Sequence, residues 1–140
     1  MWLFKRKRKP DGELLNHKDC LCAHGGMQQW GDSYWETYSP VVNMLTFRLI
    51  LAIDKIHNLD SKAIKFVLAF PQAYPEEDIC MQPPIGFQID GQTKSYSDRH
   101  YVLKLNKNLY GLKQGSYNWY EKLKKSLVDQ DFKPSDIDPC

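Results

Sequence analysis

Large apolar residues and basic residues are mixed through Trp2-Leu3-Phe4-Lys5-Arg6-Lys7-Arg8, and a second apolar and polar stretch follows at Leu14, Leu15 and residues 18–23. Between them lies Lys9-Pro10-Asp11-Gly12. Proline presets the first corner of a turn and glycine accepts a left-handed one, so the pattern predicts a β-hairpin. Gly25-Gly26 ends it, and residues 28–38, with Trp30, Tyr34 and Trp35, show no period and read as an aromatic-rich connection. Ser39-Pro40 has the form of an N-cap followed by proline at the first helical position. Val42, Leu45, Leu49, Ala52, Ile53 and Ile56 then recur at three- and four-residue spacing, the signature of a helix.

Residues 63–70 (AIKFVLAF) form a short apolar run broken by one charge at Lys65, and they fit a largely buried strand. Glu76-Glu77-Asp78 leads into Ile79-Cys80-Met81, Pro83-Pro84-Ile85-Gly86-Phe87 forbids regular helix, and residues 90–98 read as a polar loop. A strand at 101–105, punctuation at Gly111 and a helix over 116–127 with Trp119, Tyr120, Leu123 and Leu127 on one face complete the chain. Hairpin, helix, strand, loop, strand, helix is an α+β order.

The chain has 140 residues, 42% apolar and 26% charged, the balance of one globular domain rather than a collagen-like or disordered chain. Nineteen basic residues against 17 acidic ones give +2, which by itself announces no nucleic-acid binder. The distribution is more telling: six basic against three acidic in residues 1–20, six against nine in 21–100, and seven against five in 101–140. The run Lys5-Arg6-Lys7-Arg8-Lys9 suits phosphates or nuclear import as well as a solvated strand. No stretch reaches the roughly 18 apolar residues of a spanning helix, and Met1-Trp2-Leu3-Phe4 ahead of a basic run reverses the order of a signal peptide. The expectation is therefore no membrane and an intracellular protein, cytoplasmic or nuclear, with reduced cysteines. Cys20-Leu21-Cys22-Ala23-His24 lacks the two-residue gap and second ligand pair of a zinc site, so no metal is expected there.

Five blocks in order carry a family resemblance: Phe4 to Gly12; Trp35-Glu36-Thr37-Tyr38-Ser39-Pro40-Val41-Val42; Phe66 to Phe70 with Glu76-Glu77-Asp78-Ile79-Cys80-Met81; Pro83-Pro84-Ile85-Gly86-Phe87; and Leu109-Tyr110-Gly111-Leu112-Lys113-Gln114 with Trp119-Tyr120. Together they resemble the reverse transcriptase of copia-type LTR retrotransposons across essentially the whole chain. The resemblance implies the fingers and the first part of the palm of a right-hand polymerase, incomplete. Residues 1–38 would be the fingers hairpin region and 39–140 fingers and palm, truncated before the second catalytic motif. Lys5, Arg6, Lys7, Arg8 and Lys9 would contact nucleic acid, and Lys18 the nucleotide, because cations pair with phosphates there. Phe70 would pack under the sugar as the steric gate, and Gln114 would contact the bound nucleotide. Magnesium, an RNA template, a DNA primer and the remainder of a Pol polyprotein are the cofactor and partners the family implies.

The chain also departs from that pattern. Aligning Ala69-Phe70 on the family's Ala-Phe pair puts Lys65 where the first metal-binding aspartate is expected, and an ammonium repels magnesium. Asp60 is a poor substitute: it lies five residues away, so on a continuous strand it faces the opposite side, about 16 Å off at roughly 3.3 Å per residue. Cys20 replaces the arginine of the family's Lys-Ala-Arg-Leu-Val-Ala, and a thiol has no bidentate fork for phosphate. No Tyr-x-Asp-Asp occurs in these residues. No catalytic residue is then intact and no metal is expected in this chain. The sequence points to an inactive polymerase fragment, with two alternatives: a residual RNA- or DNA-binding module without sequence specificity, or an unstable retroelement relic.

Overall fold

A computed structural model of the chain describes residues 1–89, 92–93 and 101–138. The polar loop read over 90–98 lies outside these residues apart from Gln92 and Thr93, and Cys140 lies outside them too. The architecture is mixed helix and strand. β1 (Trp2–Arg8) pairs antiparallel with β2 (Leu14–Leu21) in the register Leu3 to Cys20, Lys5 to Lys18 and Lys7 to Asn16. Its turn is closed by the Lys9 N–H donating to the Glu13 carbonyl at 2.9 Å and the Glu13 N–H donating to the Asp11 carboxylate at 2.9 Å. A short 3₁₀ turn follows at Gly25–Met27.

α1 spans Met44–His57 and is capped by Asn43, whose side chain accepts from the Leu45 N–H at 2.9 Å. The helix therefore begins four residues beyond Pro40, because Asn43 rather than Ser39 holds the exposed N–H groups of its first turn. Apolar residues lie on two sides of it, Leu45, Leu49, Ile53 and Ile56 on one and Met44, Phe47 and Leu51 on the other. None is buried among the described residues, and Leu45 and Ile56 are 70% and 76% exposed.

The strand expected over 63–70 does not form. The segment runs without regular structure to Leu68, which takes a left-handed φ of 50°, and α2 (Ala69–Gln72) follows. A strand exists only where another offers its backbone, and among the described residues none is paired with this segment. Its aromatic side chains instead pack on the last helix. β3 (Cys80–Met81) pairs with β6 (Leu103–Lys104), β4 (Gln88–Ile89) with β5 (Gln92–Thr93), and α3 spans Gly115–Val128.

The core is small: Ala23, Ile79 and Leu112, with Leu105 and Leu109 packed against them. Beside it, Asn108 and Asn118 are 1% and 6% exposed and together donate to the Tyr74 carbonyl, at 3.3 and 3.2 Å. The hairpin is seated on this core by a backbone crossing. Ala23 N–H donates to the Tyr110 carbonyl at 2.8 Å, and Cys22 forms a parallel bridge with Tyr110. Gly111 has φ +93°, and a Cβ there would run into the Ala23 carbonyl.

Gly12, at φ +90° in the hairpin turn, has nothing within 4 Å of such a Cβ and is the natural control. Alanine at either site carries left-handed strain of about 1–2 kcal/mol. Gly111→Ala additionally forces two backbones apart and is expected to cost about 1–3 kcal/mol more than Gly12→Ala. Urea unfolding followed by tryptophan fluorescence checks this, and equal losses at the two positions would contradict the crossing.

Candidate functional site

Cross-strand partners in an antiparallel pair share a face, so Leu3, Lys5, Lys7, Asn16, Lys18 and Cys20 line one side of the hairpin. Phe4, Arg6, His17 and Asp19 line the other, around an open groove of about 500 Å³ that Lys5 also borders. Two members of the basic run are used locally: Arg8 donates to the Gly12 carbonyl at 2.8 Å, and Lys9 pairs with Glu13 at 2.7 Å. Lys5, Arg6, Lys7 and Lys18 are exposed and have no carboxylate partner among the described residues. Lys5 and Lys18 stand directly opposite each other, a like-charge pair that weakens a bare hairpin.

Phe70 packs against the start of α3, and Gln114 is the residue that immediately precedes that helix. The Phe70 ring packs on Tyr110, centroids 5.1 Å apart, and covers Gly115, where an added Cβ would sit 3.5 Å from it. Phe66 packs edge-on against Trp119 at 5.1 Å. Gln114 is 4% exposed, and its amide is engaged within the protein: Nε2 donates to the Ser33 carbonyl at 2.9 Å and Oε1 accepts from Gln28 Nε2 at 2.9 Å. Lys113 closes the same network, its N–H donating to Gln28 Oε1 at 2.8 Å and its Nζ to the Tyr34 hydroxyl at 3.0 Å. The aromatic-rich connection is thereby clamped to the entrance of α3.

Lys65 is exposed in the irregular segment before Phe66, and Asp60 is exposed in the same segment. Cys20 is half-buried on the face of Lys5 and Lys18. Among the described residues no three His, Cys, Asp or Glu side chains converge to hold a metal ion. Glu77 accepts from the Trp35 indole at 3.1 Å and Asp78 pairs with Lys104 at 2.7 Å, so two acids of the acidic block serve packing. Glu36 accepts from the N–H groups of Tyr38 and Thr37, both at 2.8 Å, and these bonds hold its carboxyl below the usual range.

Sequence reasoning missed a second polar group around Tyr74, because it is assembled across three segments. Lys107 Nζ lies 3.5 Å from the Tyr74 ring centre and Lys122 Nζ 5.7 Å, with Lys122 also donating to the Gln72 carbonyl at 2.9 Å. Ala73, Asn118, Glu121, Lys125, Ser126 and Asp129 complete a groove of about 490 Å³ here. The Lys107 ammonium, by hydrogen bond and charge, holds the Tyr74 phenol below its ordinary value, with a smaller contribution from Lys122. Tyr117, nearby on α3, is pushed the other way by burial and by Glu76, Glu121 and Glu36.

These features coincide with a family match. Residues 1–139 match the reverse transcriptase (RNA-dependent DNA polymerase) family, and the chain belongs to it, in agreement with the resemblance carried by its motifs. It is 36% identical over 139 residues to the retrovirus-related Pol polyprotein from transposon TNT 1-94 of Nicotiana tabacum, covering 99% of this chain and 10% of that protein. It is 37% identical to the retrovirus-related Pol polyprotein from transposon RE1 of Arabidopsis thaliana, covering 91% of this chain and 8% of the relative. The transposon Ty1-ER2 Gag-Pol polyprotein of Saccharomyces cerevisiae is 30% identical, over 93% of this chain and 7% of the relative. The chain thus spans about a tenth or less of the length of these curated relatives. No solved structure matches it. Among the described residues no helix is long and apolar enough to cross a membrane.

The Lys107–Tyr74 contact makes a directional prediction. Since the cation stabilises the phenolate, Lys107→Gln removes that stabilisation and moves the Tyr74 titration to higher pH, while Lys133→Gln leaves it unchanged. Tyrosine-selective NMR titration of the two variants reads this directly, and an unmoved Tyr74 in Lys107→Gln would contradict the contact.

Proposed function

We propose that this chain is the fingers and first part of the palm of a retrotransposon reverse transcriptase, polymerase by descent and inactive in nucleotide addition as it stands. The observation that carries the reading is the collinear match of residues 1–139 to the family, joined to a hairpin that opens with a cationic face. Residues 1–38 form the fingers hairpin region and 39–140 the fingers and palm portion. In this reading Lys5, Arg6, Lys7, Arg8 and Lys9 take the backbone of an RNA template or DNA primer, and Lys18 takes nucleotide phosphate. The unpaired Lys5–Lys18 juxtaposition supports it, because a bridging anion offsets the repulsion between two facing ammonium groups. Phe70 serves as the steric gate, and its seat against Tyr110 beside Gln114 is in keeping with a nucleotide edge at the start of α3. The uncovered apolar sides of α1 are likewise in keeping with a segment of a larger palm and Pol polyprotein.

Inactivity follows from the donor set. Magnesium in this family is held by carboxylates, whereas the first ligand position is occupied by Lys65, exposed and cationic. The residues present do not fit that metal. Cys20 removes a phosphate-binding guanidinium from the hairpin, so what remains is phosphate contact without chemistry. A second reading, a residual binding module without sequence preference, is favoured by the same exposed cations Lys5, Arg6, Lys7 and Lys18 and by Lys125 on α3.

Both parts are tested with one RNA–DNA template-primer. Filter binding is expected to weaken steeply with salt and equally for unrelated sequences, and Lys5→Gln with Lys18→Gln is expected to flatten the salt slope by about 2, close to one per cation. Primer extension with magnesium and all four nucleotides is expected to stay at background. Template-dependent addition would overturn the inactivity, and absence of binding at low salt would sink the phosphate-contact reading.

A further inference from the structure

The hairpin's cationic face ends in two thiols. The ladder continues past β2, with the Cys22 N–H donating to the Met1 carbonyl at 2.9 Å, so Cys22 keeps the strand alternation that places it on the same face as Cys20. Both are free thiols; Cys22 is buried and Cys20 half-buried. No third His, Cys, Asp or Glu among the described residues joins them in a group that could hold a metal, and a zinc ion, which needs four ligands, finds no cage here. Thiolates select soft ions, and Cu(I) is the soft ion of biological chemistry that is satisfied by two of them.

We propose that Cys20 and Cys22 form a two-thiolate site for a soft, thiophilic monovalent ion of the Cu(I) class at the base of the hairpin. Binding exchanges two S–H protons for two Cu–S bonds; the protons leave to solvent, the ion stays Cu(I), and the product carries one negative charge. The environment suits that product. Lys18 lies two residues before Cys20 on the same face, and its positive charge acts on the Cys22 thiol. Burial and the neighbouring Cys20 thiol push Cys22 up, so the inner sulfur rests as a protonated thiol rather than as a reactive thiolate. The site stands independently of the polymerase reading, since neither thiol has a part in the phosphate contacts proposed for Lys5, Arg6, Lys7, Arg8, Lys9 and Lys18.

The test uses the whole chain with Cys80→Ser and Cys140→Ser as background, under nitrogen with ascorbate, and Cu(I) supplied from a chromogenic chelator. The expected result is one Cu(I) withdrawn per chain, lost in Cys20→Ser and in Cys22→Ser. A relocation variant separates a folded site from a flexible pair: Cys20→Ser with Leu21→Cys keeps two thiols but puts them on opposite faces of the strand. It is expected to withdraw no Cu(I). Phenylarsine oxide gives a second reading, because it closes a ring on two adjacent thiols with release of water and should protect both in the parent and neither in the relocated protein. Retention of Cu(I) in either single serine variant, or equal withdrawal by the relocated pair, would overturn the proposal.

Discussion

One backbone crossing organises this chain. The strand leaving the hairpin runs against Tyr110 and Gly111, its Ala23 N–H bonded to the Tyr110 carbonyl, at a separation that leaves no room for a side chain on Gly111. The elements around it are placed by that point. The hairpin stands on it, Tyr110 turns its ring to Phe70, and three residues beyond Gly111 the buried Gln114 fixes the aromatic connection through Gln28 and Ser33. A hairpin alone is marginal in water. Here the crossing ties it to the Ala23–Ile79–Leu112 core, and the Trp2 indole adds a bond of 3.3 Å to the Ile85 carbonyl. The buried Pro83-Pro84 segment, which has no chemistry of its own, gains a structural purpose from that contact.

The electrostatics divide along the same line. Acids in the middle of the sequence are spent on internal contacts: Glu77 on Trp35, Asp78 on Lys104, Glu36 on the N–H groups of Thr37 and Tyr38. On the hairpin, Lys5, Arg6, Lys7 and Lys18 have no carboxylate partner among the described residues. The charge sum of +2 conceals this separation. Reverse transcriptase chemistry needs both halves, cations for phosphate and clustered carboxylates for metal. In this chain the first half is displayed, whereas the proposed metal position carries Lys65.

How much of this could be read from residues alone depended on how local each signal was. The hairpin was legible because Pro10, Asp11 and Gly12 dictate a turn between two stretches of matching length, and α3 because its apolar face repeats at helical spacing. The start of α1 was misplaced, since Ser39-Pro40 and Asn43 are both plausible caps and only the geometry of the Leu45 N–H chooses between them. The strand over residues 63–70 was misread for a deeper reason: a short apolar run suits a strand or a packed irregular segment equally, and a ladder depends on a neighbour that the run itself cannot announce. Its apolar character was sound, with Phe66 spent on Trp119 and Phe70 on Tyr110. The Asn108–Asn118 pair and the Gln28–Gln114 link join residues 10 and 86 positions apart, and no local pattern marks such partners. Family motifs pointed to Gln114 and Phe70 as residues of interest, yet they gave no sign that the Gln114 amide would be held inside the protein.

If the crossing at Ala23 and Tyr110 is the seat of the fold, its backbone bond must be among the last to open. Native-state hydrogen exchange measures this residue by residue. The Ala23 amide is predicted to exchange with the slowest class, alongside the Leu105 amide bonded to the Ile79 carbonyl and the Asn108 amide bonded to the Ala73 carbonyl, while the Gly12 amide at the hairpin tip exchanges far faster. An Ala23 amide that exchanges as fast as that of Gly12 while Leu105 and Asn108 stay protected would show the hairpin detached from the core, and would contradict the account.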